Sequence, residues 1–413
     1  MRTCARPRGP HPTALLLAAC ALVLSGCAAS ERAAPAEDSA PVSSTTGDAP
    51  APLILVSLDG FRDGYARRYD APALDRMART GTKADYLKLA FPTKTFPNHY
   101  TLVTGQYPAR HGIISNNIYD PAFDASFSLG NTEAIRNARW WDAEPIWVTA
   151  EKQGLTAATY FWPGSEAAIG GVRPTYWRRY DGSVPGAERV DQVLQWLDRP
   201  PSERPDLVTG YLERLYDGLR ARGQAEKVNV IVTSDHGMAP LSRERVIFLD
   251  DYLTGTGGRP AVSDLRITDD SPVLMAWPKD GTSAAAALKA LRGAHPELDV
   301  YHKSAVPDSL HFSGSRRIPP IIGIASAGWS ISTHDYFAEH DEAFTGGTHG
   351  YVPSAPSMRG ILYARGPAFA SGQTTRPVEA INLYRLMCRL LGLDPAPNDG
   401  DAEALRKLLP ATP

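Results

Sequence analysis

The stretch LILVSLDG at residues 53–60 decides the fold class of this chain. Its first six residues are aliphatic or small, which is typical of a strand buried on both faces of a parallel sheet. A second such run, VNVIVT at residues 228–233, leads into SDHG at residues 234–237. Helical patterns occur at Pro72–Thr80, Glu144–Gln153, Ala187–Leu197, Tyr211–Arg222, Ser283–Leu291 and Val378–Leu391. This alternation predicts an α/β fold with a mostly parallel central sheet flanked by helices.

The composition of the 413 residues is that of an ordinary globular protein. Hydrophobic residues make up 43% and charged residues 21%, and the formal net charge is −2. These values exclude a disordered, collagen-like or coiled-coil chain. They also leave no basic field for a phosphate backbone, so we do not expect binding to duplex nucleic acid.

The N-terminus has the pattern of an export signal. Three arginines within residues 1–8 precede an apolar run at residues 14–24, which is too short to span a bilayer as a mature helix. The run ends in LSGC at residues 24–27, which resembles a bacterial lipobox with a lipidated cysteine. A plain secretory signal that is cleaved elsewhere is the alternative. Ala28 after the cysteine favours sorting to the outer membrane, on its periplasmic side.

The domain organisation follows from this pattern. We expect a lipoprotein signal peptide at residues 1–26 and a catalytic domain at residues 52–413. Between them, residues 27–51 begin with the lipidated Cys27 and continue as a flexible tether rich in Ala, Pro, Ser and Thr. Cys388 is then the one thiol of the mature domain, and its place on an apolar helical face favours a buried core residue over a nucleophile.

Acidic residues follow both predicted buried strands. Ligand sites in open α/β sheets lie beyond the carboxyl ends of the strands, so Asp59 and Asp235 are candidates for such a site. Asp59-Gly60 taken alone is typical of a simple turn. Asp235-His236 instead offers one hard oxygen and one imidazole, which is a common zinc pairing in hydrolases.

A hydroxyl at a predicted helix start is the next candidate. Thr95 lies in KTFPNHY at residues 94–100, where Pro97 favours the first turn of a helix. A hydroxyl there lies near backbone N–H groups and the positive end of the dipole, and a nearby metal would make it a nucleophile. A helix N-cap is the alternative role for Thr95. Lys94 either helps an anion to approach or is simply solvated.

Two further motifs carry polar side chains without a local explanation. Asn116 could donate to a phosphoryl oxygen through its amide nitrogen, or form a turn together with Asn117. His349 lies between glycines in GGTHGY at residues 346–351, where the backbone allows close access. This setting favours a metal ligand over a core histidine.

Together these motifs resemble the nucleotide pyrophosphatase/phosphodiesterase family of the alkaline phosphatase superfamily. The resemblance covers about residues 52–393. It rests on LDG at 58–60, KTFPNHY at 94–100, NN at 116–117, TSDHGM at 233–238 and THGY at 348–351. It implies an alkaline-phosphatase-like fold, hydrolysis of phosphodiester or pyrophosphate bonds, two zinc ions and a covalent threonyl intermediate.

The resemblance also assigns the metal ligands. By this match, Thr95 is the nucleophile, and it binds one zinc ion together with Asp59, Asp235 and His236. His349 belongs to the other zinc ion. Two metals suit phosphoryl transfer, because one acts on the attacking oxygen and the other on the opposite side of phosphorus.

The same match assigns the substrate contacts. Asn116 assists at the phosphoryl oxygens, and Phe96 and Tyr180 form the two sides of a slot for a base or leaving group. Such aromatic side chains favour a base-bearing or aryl diester over a phosphate monoester. The expected partners are therefore a small nucleotide or phosphodiester substrate and, through Cys27, a membrane.

One part of the family pattern is missing. In the family an Asp-x-x-x-His motif completes the second zinc site, whereas here LVTGYLE at residues 207–213 runs directly into RLYDGLR at residues 214–220. No histidine lies between His111 and His236. Because a catalytic zinc normally has three protein ligands, His349 alone cannot hold the second ion. We therefore expect one complete zinc site and impaired turnover.

Three functions remain open from the sequence. The main interpretation is an exported, lipid-anchored phosphodiesterase with nucleotides as its substrate class. The incomplete second site suggests a catalytically inactive metal- or nucleotide-binding lipoprotein as an alternative. A phosphomonoesterase or phosphonate hydrolase of the same superfamily is the other alternative. Asp, His and Thr ligands would also accept manganese or cobalt.

Overall fold

The computed structural model describes residues 50–210, 215–401, 403–404 and 409. The predicted signal peptide, Cys27 and almost all of the tether lie outside these residues. So do residues 211–214, where the sequence departs from the family pattern. None of the helices in the described part is both long enough and apolar enough to cross a membrane.

The strands of the described residues are numbered along the chain. They are β1 (Leu53–Ser57), β2 (Thr82–Ala84), β3 (Leu87–Lys88), β4 (Asn117–Asp120), β5 (Ala125–Ser128), β6 (Ala157–Tyr160), β7 (Tyr176–Arg178), β8 (Leu207–Gly210), β9 (Asn229–Thr233), β10 (Ala239–Pro240), β11 (Val246–Phe248), β12 (Leu265–Asp269), β13 (Val273–Pro278), β14 (Leu298–His302), β15 (Ile321–Ala325), β16 (Ser330–Ser332), β17 (Gly347–Thr348), β18 (Leu362–Arg365), β19 (Gln373–Thr375) and β20 (Val378–Glu379).

The α-helices are numbered in the same way. They are α1 (Tyr65–Arg68), α2 (Pro72–Thr80), α3 (Thr95–Thr104), α4 (Pro108–His111), α5 (Thr132–Arg136), α6 (Ile146–Lys152), α7 (Gly186–Leu197), α8 (Leu215–Ala221), α9 (Ala284–Leu291), α10 (His334–Glu339) and α11 (Asn382–Leu391). Short 3-10 turns connect several of these elements.

The central sheet has eight strands in the order β19-β2-β18-β9-β1-β8-β6-β7. β1 is parallel to both of its neighbours, β8 and β9, and β6 and β7 continue the parallel arrangement. β18 runs antiparallel to β9 and to β2. The predicted α/β fold with a mostly parallel central sheet is thus confirmed.

Both faces of β1 are covered, as its uninterrupted apolar sequence predicts. Leu53 and Leu55 pack into one hydrophobic cluster, and Ile54 and Val56 pack into another on the opposite face. All four side chains are buried. Burying each of them contributes about 2 kcal/mol, so the strand that precedes the candidate site is held firmly on both sides.

A second sheet lies outside the central one, and the sequence analysis did not predict it. It is antiparallel, with the order β12-β13-β15-β14, and helix α9 packs against it. Side chains of this sheet and of α9 form a separate apolar cluster, which includes Leu274 and Ile321 from the sheet and Leu288 from the helix. This sheet matters for the site because β12 ends in Asp269.

One helix begins later than predicted. The segment Val378–Leu391 was expected to be wholly helical, but Val378–Glu379 form a strand parallel to Leu87–Lys88, and α11 begins at Asn382. Pairing with a distant strand decides the conformation of these first residues, and a local helical pattern does not report it. Cys388 is buried on the inner side of α11 as expected.

Candidate active site

The candidate site lies beyond the carboxyl ends of β1 and β9. These strands are parallel and in register, with Ser57 opposite Thr233, so Asp59 and Asp235 emerge side by side. Gly60 turns the chain with φ of 65° and donates its N–H to Asp235 Oδ1 at 3.0 Å. A glycine is also needed at Gly237, where a Cβ would collide with a backbone carbonyl oxygen.

Three of the predicted ligands meet at this edge. One donor atom from each of Asp59, Asp235 and His236 can be chosen so that all lie within 4.8 Å of one another. His236 Nε2 lies 3.1 Å from Asp235 Oδ2 and 3.4 Å from Asp59 Oδ1. Asp235 and His236 are buried, whereas half of the Asp59 side chain is exposed, so the cluster opens to solvent on the Asp59 side.

Backbone contacts orient the imidazole of His236. Its Nδ1 lies 2.9 Å from the carbonyl oxygen of Gly237, so this nitrogen carries the proton and donates it. In the neutral ring Nε2 is then the lone-pair nitrogen, and it faces Asp59, Asp235 and the Thr95 hydroxyl oxygen at 3.2 Å. A metal-ligating histidine is commonly oriented in this way, by a hydrogen bond from its other nitrogen.

The residues present fit a metal ion. Asp235 Oδ1 accepts a hydrogen bond from Gly60. The buried Asp235 Oδ2 has no well-formed hydrogen bond, and faces only the ring nitrogens of His236 and His99, at 3.1 and 3.3 Å. A buried carboxylate oxygen without a partner is costly unless a cation compensates it. Two carboxylates and one imidazole nitrogen are a donor set that zinc accepts, with manganese and cobalt as further options.

The charges of the cluster depend on one another. Burial favours the neutral ring of His236, but the Asp235 carboxylate outweighs it and raises the pKa of His236. Burial opposes ionisation of Asp235, whereas the His236 and His99 rings hold its pKa well below the usual range. Partial loss of water and the charge of Asp235 raise the pKa of Asp59. Burial and the neighbouring His236 lower the pKa of His349 to about 3, so His349 is neutral near pH 7.

Thr95 is the first residue of α3 and does not cap it. Lys94 occupies the N-cap position, and no side chain caps the helix. The Thr95 hydroxyl lies beside His236 Nε2 instead. The backbone N–H of Phe96 is donated to Asn116 Oδ1 at 3.0 Å, and Pro97 has no N–H, so these two residues offer no free backbone donor to an anion. The expected backbone contribution at this helix end is therefore smaller than the sequence suggested.

His99 contacts both Thr95 and Asp235. It is fully buried on α3, one turn after Thr95, whose carbonyl oxygen lies 2.9 Å from His99 Nδ1. The same nitrogen is 3.3 Å from Asp235 Oδ2, and Nε2 is 2.8 Å from the Ser57 hydroxyl. His99 thus joins the start of α3 to the ends of β1 and β9.

His349 lies directly against His236. The two rings are parallel, with centroids 3.4 Å apart and planes inclined by 4°. Thr93 fixes this loop with three contacts: its carbonyl faces His349 Nδ1 at 3.0 Å, its hydroxyl accepts from Gly350 N–H, and the hydroxyl donates to the Tyr351 carbonyl. His349 Nε2 is thereby left as the lone-pair nitrogen.

The two predicted aromatic contacts for the substrate lie in different surroundings. Phe96 packs against Phe127 and Trp141, at centroid distances of 5.7 and 6.2 Å. Tyr180 is 64% exposed and makes an edge contact with Phe161. Among the ring contacts of the described residues, none joins Phe96 to Tyr180. Their shared slot stays a prediction.

Lys94 is neither free nor solvated, contrary to both expectations. Its side chain is 7% exposed and its ammonium lies 2.6 and 2.5 Å from the two carboxylate oxygens of Asp269. Asp269 was not among the candidate residues. It is 175 positions away in the sequence, and no local motif marks it.

Comparison with known proteins identifies the family of this chain. The sequence model of the type I phosphodiesterase/nucleotide pyrophosphatase family matches residues 53–215 and 212–352. The chain belongs to this family. The two matches overlap at residues 212–215, where the sequence analysis expects a segment of the family pattern to be absent.

Several curated relatives share this family. The venom phosphodiesterase CdcPDE of Crotalus durissus collilineatus is 38% identical over 399 residues, covering 87% of this chain and 46% of the relative. Ectonucleotide pyrophosphatase/phosphodiesterase family member 3 of Rattus norvegicus is 35% identical over 396 residues, covering 87% and 44%. This chain thus spans less than half the length of the curated relatives it matches.

Solved structures of the family have the same fold. An inactive threonine-to-alanine form of murine ectonucleotide pyrophosphatase/phosphodiesterase 5, in complex with AMP, has a TM-score of 0.80 and 32% identity to this chain. The human protein 5 has a TM-score of 0.81 at the same identity. Each comparison covers 87% of this chain and 100% of the solved chain.

Proposed function

We propose that this chain is an exported, lipid-anchored hydrolase of phosphodiester or pyrophosphate bonds that acts on nucleotides through a phosphorylated Thr95. One observation carries the proposal. The Thr95 hydroxyl lies 3.2 Å from His236 Nε2, at the edge of a donor cluster that contains a buried carboxylate oxygen without a hydrogen bond. A nucleophile beside a metal-binding cluster is the arrangement that phosphoryl transfer needs.

The residues around Thr95 would divide the work as follows. A zinc ion held by Asp59, Asp235 and His236 would supply positive charge that lowers the pKa of the Thr95 hydroxyl. Thr95 Oγ1 attacks phosphorus, the first ester oxygen leaves, and a water molecule later hydrolyses the phosphorylated threonine. Asn116 Oδ1 is occupied by the Phe96 N–H, so its amide nitrogen is left to donate to a phosphoryl oxygen.

Nucleotides are the substrate class that the relatives favour. The murine protein 5 was solved with AMP, and the curated relatives are phosphodiesterases and nucleotide pyrophosphatases by name. In this chain Phe96 directly follows Thr95 and is half-buried, with its ring packed against the buried Trp141, so Phe96 offers the apolar surface that a base or aryl group requires. Lys94 is held by Asp269 and gives no extra cation for a phosphate monoester, which favours the diester over the monoesterase alternative.

We infer that the second zinc site of the family is incomplete in this chain. Four observations support this inference. The sequence has no Asp-x-x-x-His motif after β8, and the family model matches in two parts that meet at residues 212–215. The alignment with the venom relative runs over 399 positions, more than the 87% of 413 residues it covers, so this chain has gaps against that relative. Within the described part of the chain, Asp59, Asp235 and His236 form the one group of three potential metal ligands, and no second group includes His349.

This gap supports one competing function. A protein that retains one metal site and the nucleotide surface, but lacks the second ion, would bind metal and nucleotide without turnover. The export signal and the lipid on Cys27 belong equally to both functions, and they rest on residues 1–28 of the sequence.

Turnover of a synthetic diester separates the two functions. The purified protein with zinc is assayed on bis(p-nitrophenyl) phosphate and on p-nitrophenyl phosphate, beside Thr95→Ala and the matched variant Thr104→Ala. Thr104 ends the same helix, and its hydroxyl bonds only locally, to the Tyr100 carbonyl and the Gln106 N–H. We expect diester hydrolysis to exceed monoester hydrolysis and to fall at least about 1000-fold in Thr95→Ala alone. Zinc-bound, folded protein without turnover would favour the binding protein.

A further inference from the structure

A buried carboxylate joins the two segments that carry the candidate nucleophile and the candidate phosphoryl donor. This carboxylate is that of Asp269, at the end of β12. The Lys94 ammonium donates to both of its oxygens, at 2.6 and 2.5 Å. Lys94 is the N-cap of α3 and directly precedes Thr95. The two side chains are 7% and 5% exposed, so the pair is shielded from water.

Asp269 also contacts the segment that carries Asn116. The Ser115 hydroxyl, which is fully buried, donates to Asp269 Oδ2. Ser115 directly precedes Asn116. The carboxylate therefore contacts the residue before Thr95 and the residue before Asn116 at the same time.

A direct hydrogen bond also joins the two segments. The N–H of Phe96, the residue after Thr95, donates to Asn116 Oδ1 at 3.0 Å. The segments 94–96 and 115–116 are thus joined twice, once directly and once through Asp269. Two such links fix both the separation and the relative rotation of the segments, whereas one link fixes only a distance.

Lys94 is fully used by these contacts. An ammonium group has three donors, and Lys94 Nζ lies within reach of both Asp269 oxygens and of the Ser271 carbonyl at 3.2 Å. No donor remains for a substrate phosphate. A buried ion pair adds little stability compared with an apolar pair of the same size, so stability alone does not account for it.

We propose that Asp269 is a positioning residue, which holds the Thr95 hydroxyl and the Asn116 amide in the relative placement that phosphoryl transfer requires. This inference rests on the proposed function, since it assumes that both groups act on the same phosphoryl group. Asp269 does not touch the substrate. It acts through Lys94 and Ser115, so its loss changes the rate of the chemical step rather than the binding of the substrate.

Kinetics of three variants test the proposal. Asp269→Asn removes the charge, Ser115→Ala removes one arm and leaves the ion pair in place, and Asp399→Asn is the control. Asp399 also holds an arginine and a backbone N–H, those of Arg110 and Tyr107, but it lies near the C-terminal end of α3. We expect kcat on bis(p-nitrophenyl) phosphate to fall about 100-fold in Asp269→Asn and about 10-fold in Ser115→Ala, with KM unchanged. Asp399→Asn should keep the wild-type kcat.

Hydrogen exchange gives a second test that needs no turnover. The Phe96 amide is protected by Asn116, and it should exchange about 10-fold faster in Ser115→Ala and in Asp269→Asn, but not in Asp399→Asn. The proposal would be overturned if the Phe96 amide exchanged at the wild-type rate in Ser115→Ala and Asp269→Asn. It would also be overturned if kcat in these two variants fell no further than in Asp399→Asn at an equal loss of thermal stability. If the wild-type protein shows no turnover, the proposed function fails, while Phe96 exchange still decides whether Asp269 holds the two segments together.

Discussion

At the scale of single residues, the position of the Thr95 hydroxyl is the most informative finding. A threonine at a helix start commonly caps the helix, and the sequence left this role open. In the structure Lys94 is the N-cap residue, and the Thr95 hydroxyl lies beside His236 Nε2. The hydroxyl therefore contacts the donor cluster and does not cap the helix. This position is the geometric basis for the prediction that Thr95 is the nucleophile.

Asp235 is the residue on which metal binding should depend most. Its buried Oδ2 has no hydrogen bond, and replacing the carboxylate by an amide in Asp235→Asn removes the negative charge that a zinc ion would neutralise. We expect zinc affinity to fall at least about 100-fold, measured by competition with a chromogenic chelator.

The matched control for this change is an exposed aspartate in an ion pair. Asp341 pairs with Arg243, and both side chains are half exposed. Asp341→Asn should bind zinc as the wild type does. Equal zinc affinity in wild type and Asp235→Asn would remove this cluster as the metal site.

Part of the candidate site could be predicted from the sequence, because two of its acidic residues follow buried strands. Two parallel strands that end in acids place Asp59 and Asp235 together wherever the strands are neighbours. Asp269 could not be found in this way. It reaches Lys94 from another sheet, and only the packing of the two sheets brings their side chains into contact.

At the scale of elements, β1 is the strand on which the site depends. It lies in the middle of the central sheet and is buried on both faces. The change Leu55→Ala should lower the free energy of unfolding by about 2–5 kcal/mol, because it leaves a cavity in a close-packed cluster. Urea unfolding at constant zinc concentration measures the effect.

An exposed leucine provides the comparison for this variant. Leu129 is 44% exposed, so Leu129→Ala should change the free energy of unfolding by less than about 0.5 kcal/mol. A similar loss in both variants would mean that β1 does not carry the stability assigned to it.

The elements also show where sequence patterns stop being sufficient. Buried parallel strands were predicted because runs of mostly branched apolar residues mark them, as in 53–58 and 228–233. The start of α11 was wrong because residues 378–379 pair with a strand almost 300 positions earlier. The antiparallel sheet β12-β13-β15-β14 was missed because only β12 and β13 are joined by a short connection. β15 pairs with β13 and β14 across longer connections, and those registers depend on tertiary packing.

At the scale of the whole molecule, the junction near residues 212–215 sets the expected metal content. The family model matches on either side of it. Under the proposed function, the second zinc site lacks the two ligands of an Asp-x-x-x-His motif, which the sequence does not have after β8. The protein should therefore bind one zinc ion tightly per chain, measured by elemental analysis after gel filtration. Inserting an Asp-x-x-x-His segment from a relative between Glu213 and Arg214 should raise the content to two ions and increase kcat.

Two zinc ions per unmodified chain would contradict this account of the second site. The Asp235→Asn variant serves as the internal reference, because it should lose the single ion. A content that stays at one ion after the insertion would show that more than these two ligands is missing.

The central claim is that Thr95 receives the phosphoryl group, and trapping that group tests it most directly. The zinc-loaded protein is mixed with the p-nitrophenyl ester of thymidine monophosphate, quenched in acid within milliseconds, digested and analysed by mass spectrometry. We predict a thymidylyl group on the peptide that contains Thr95 and no adduct in Thr95→Ala. Release of p-nitrophenol without any adduct, at a rate that Thr95→Ala retains, would contradict the account and assign the attack to water.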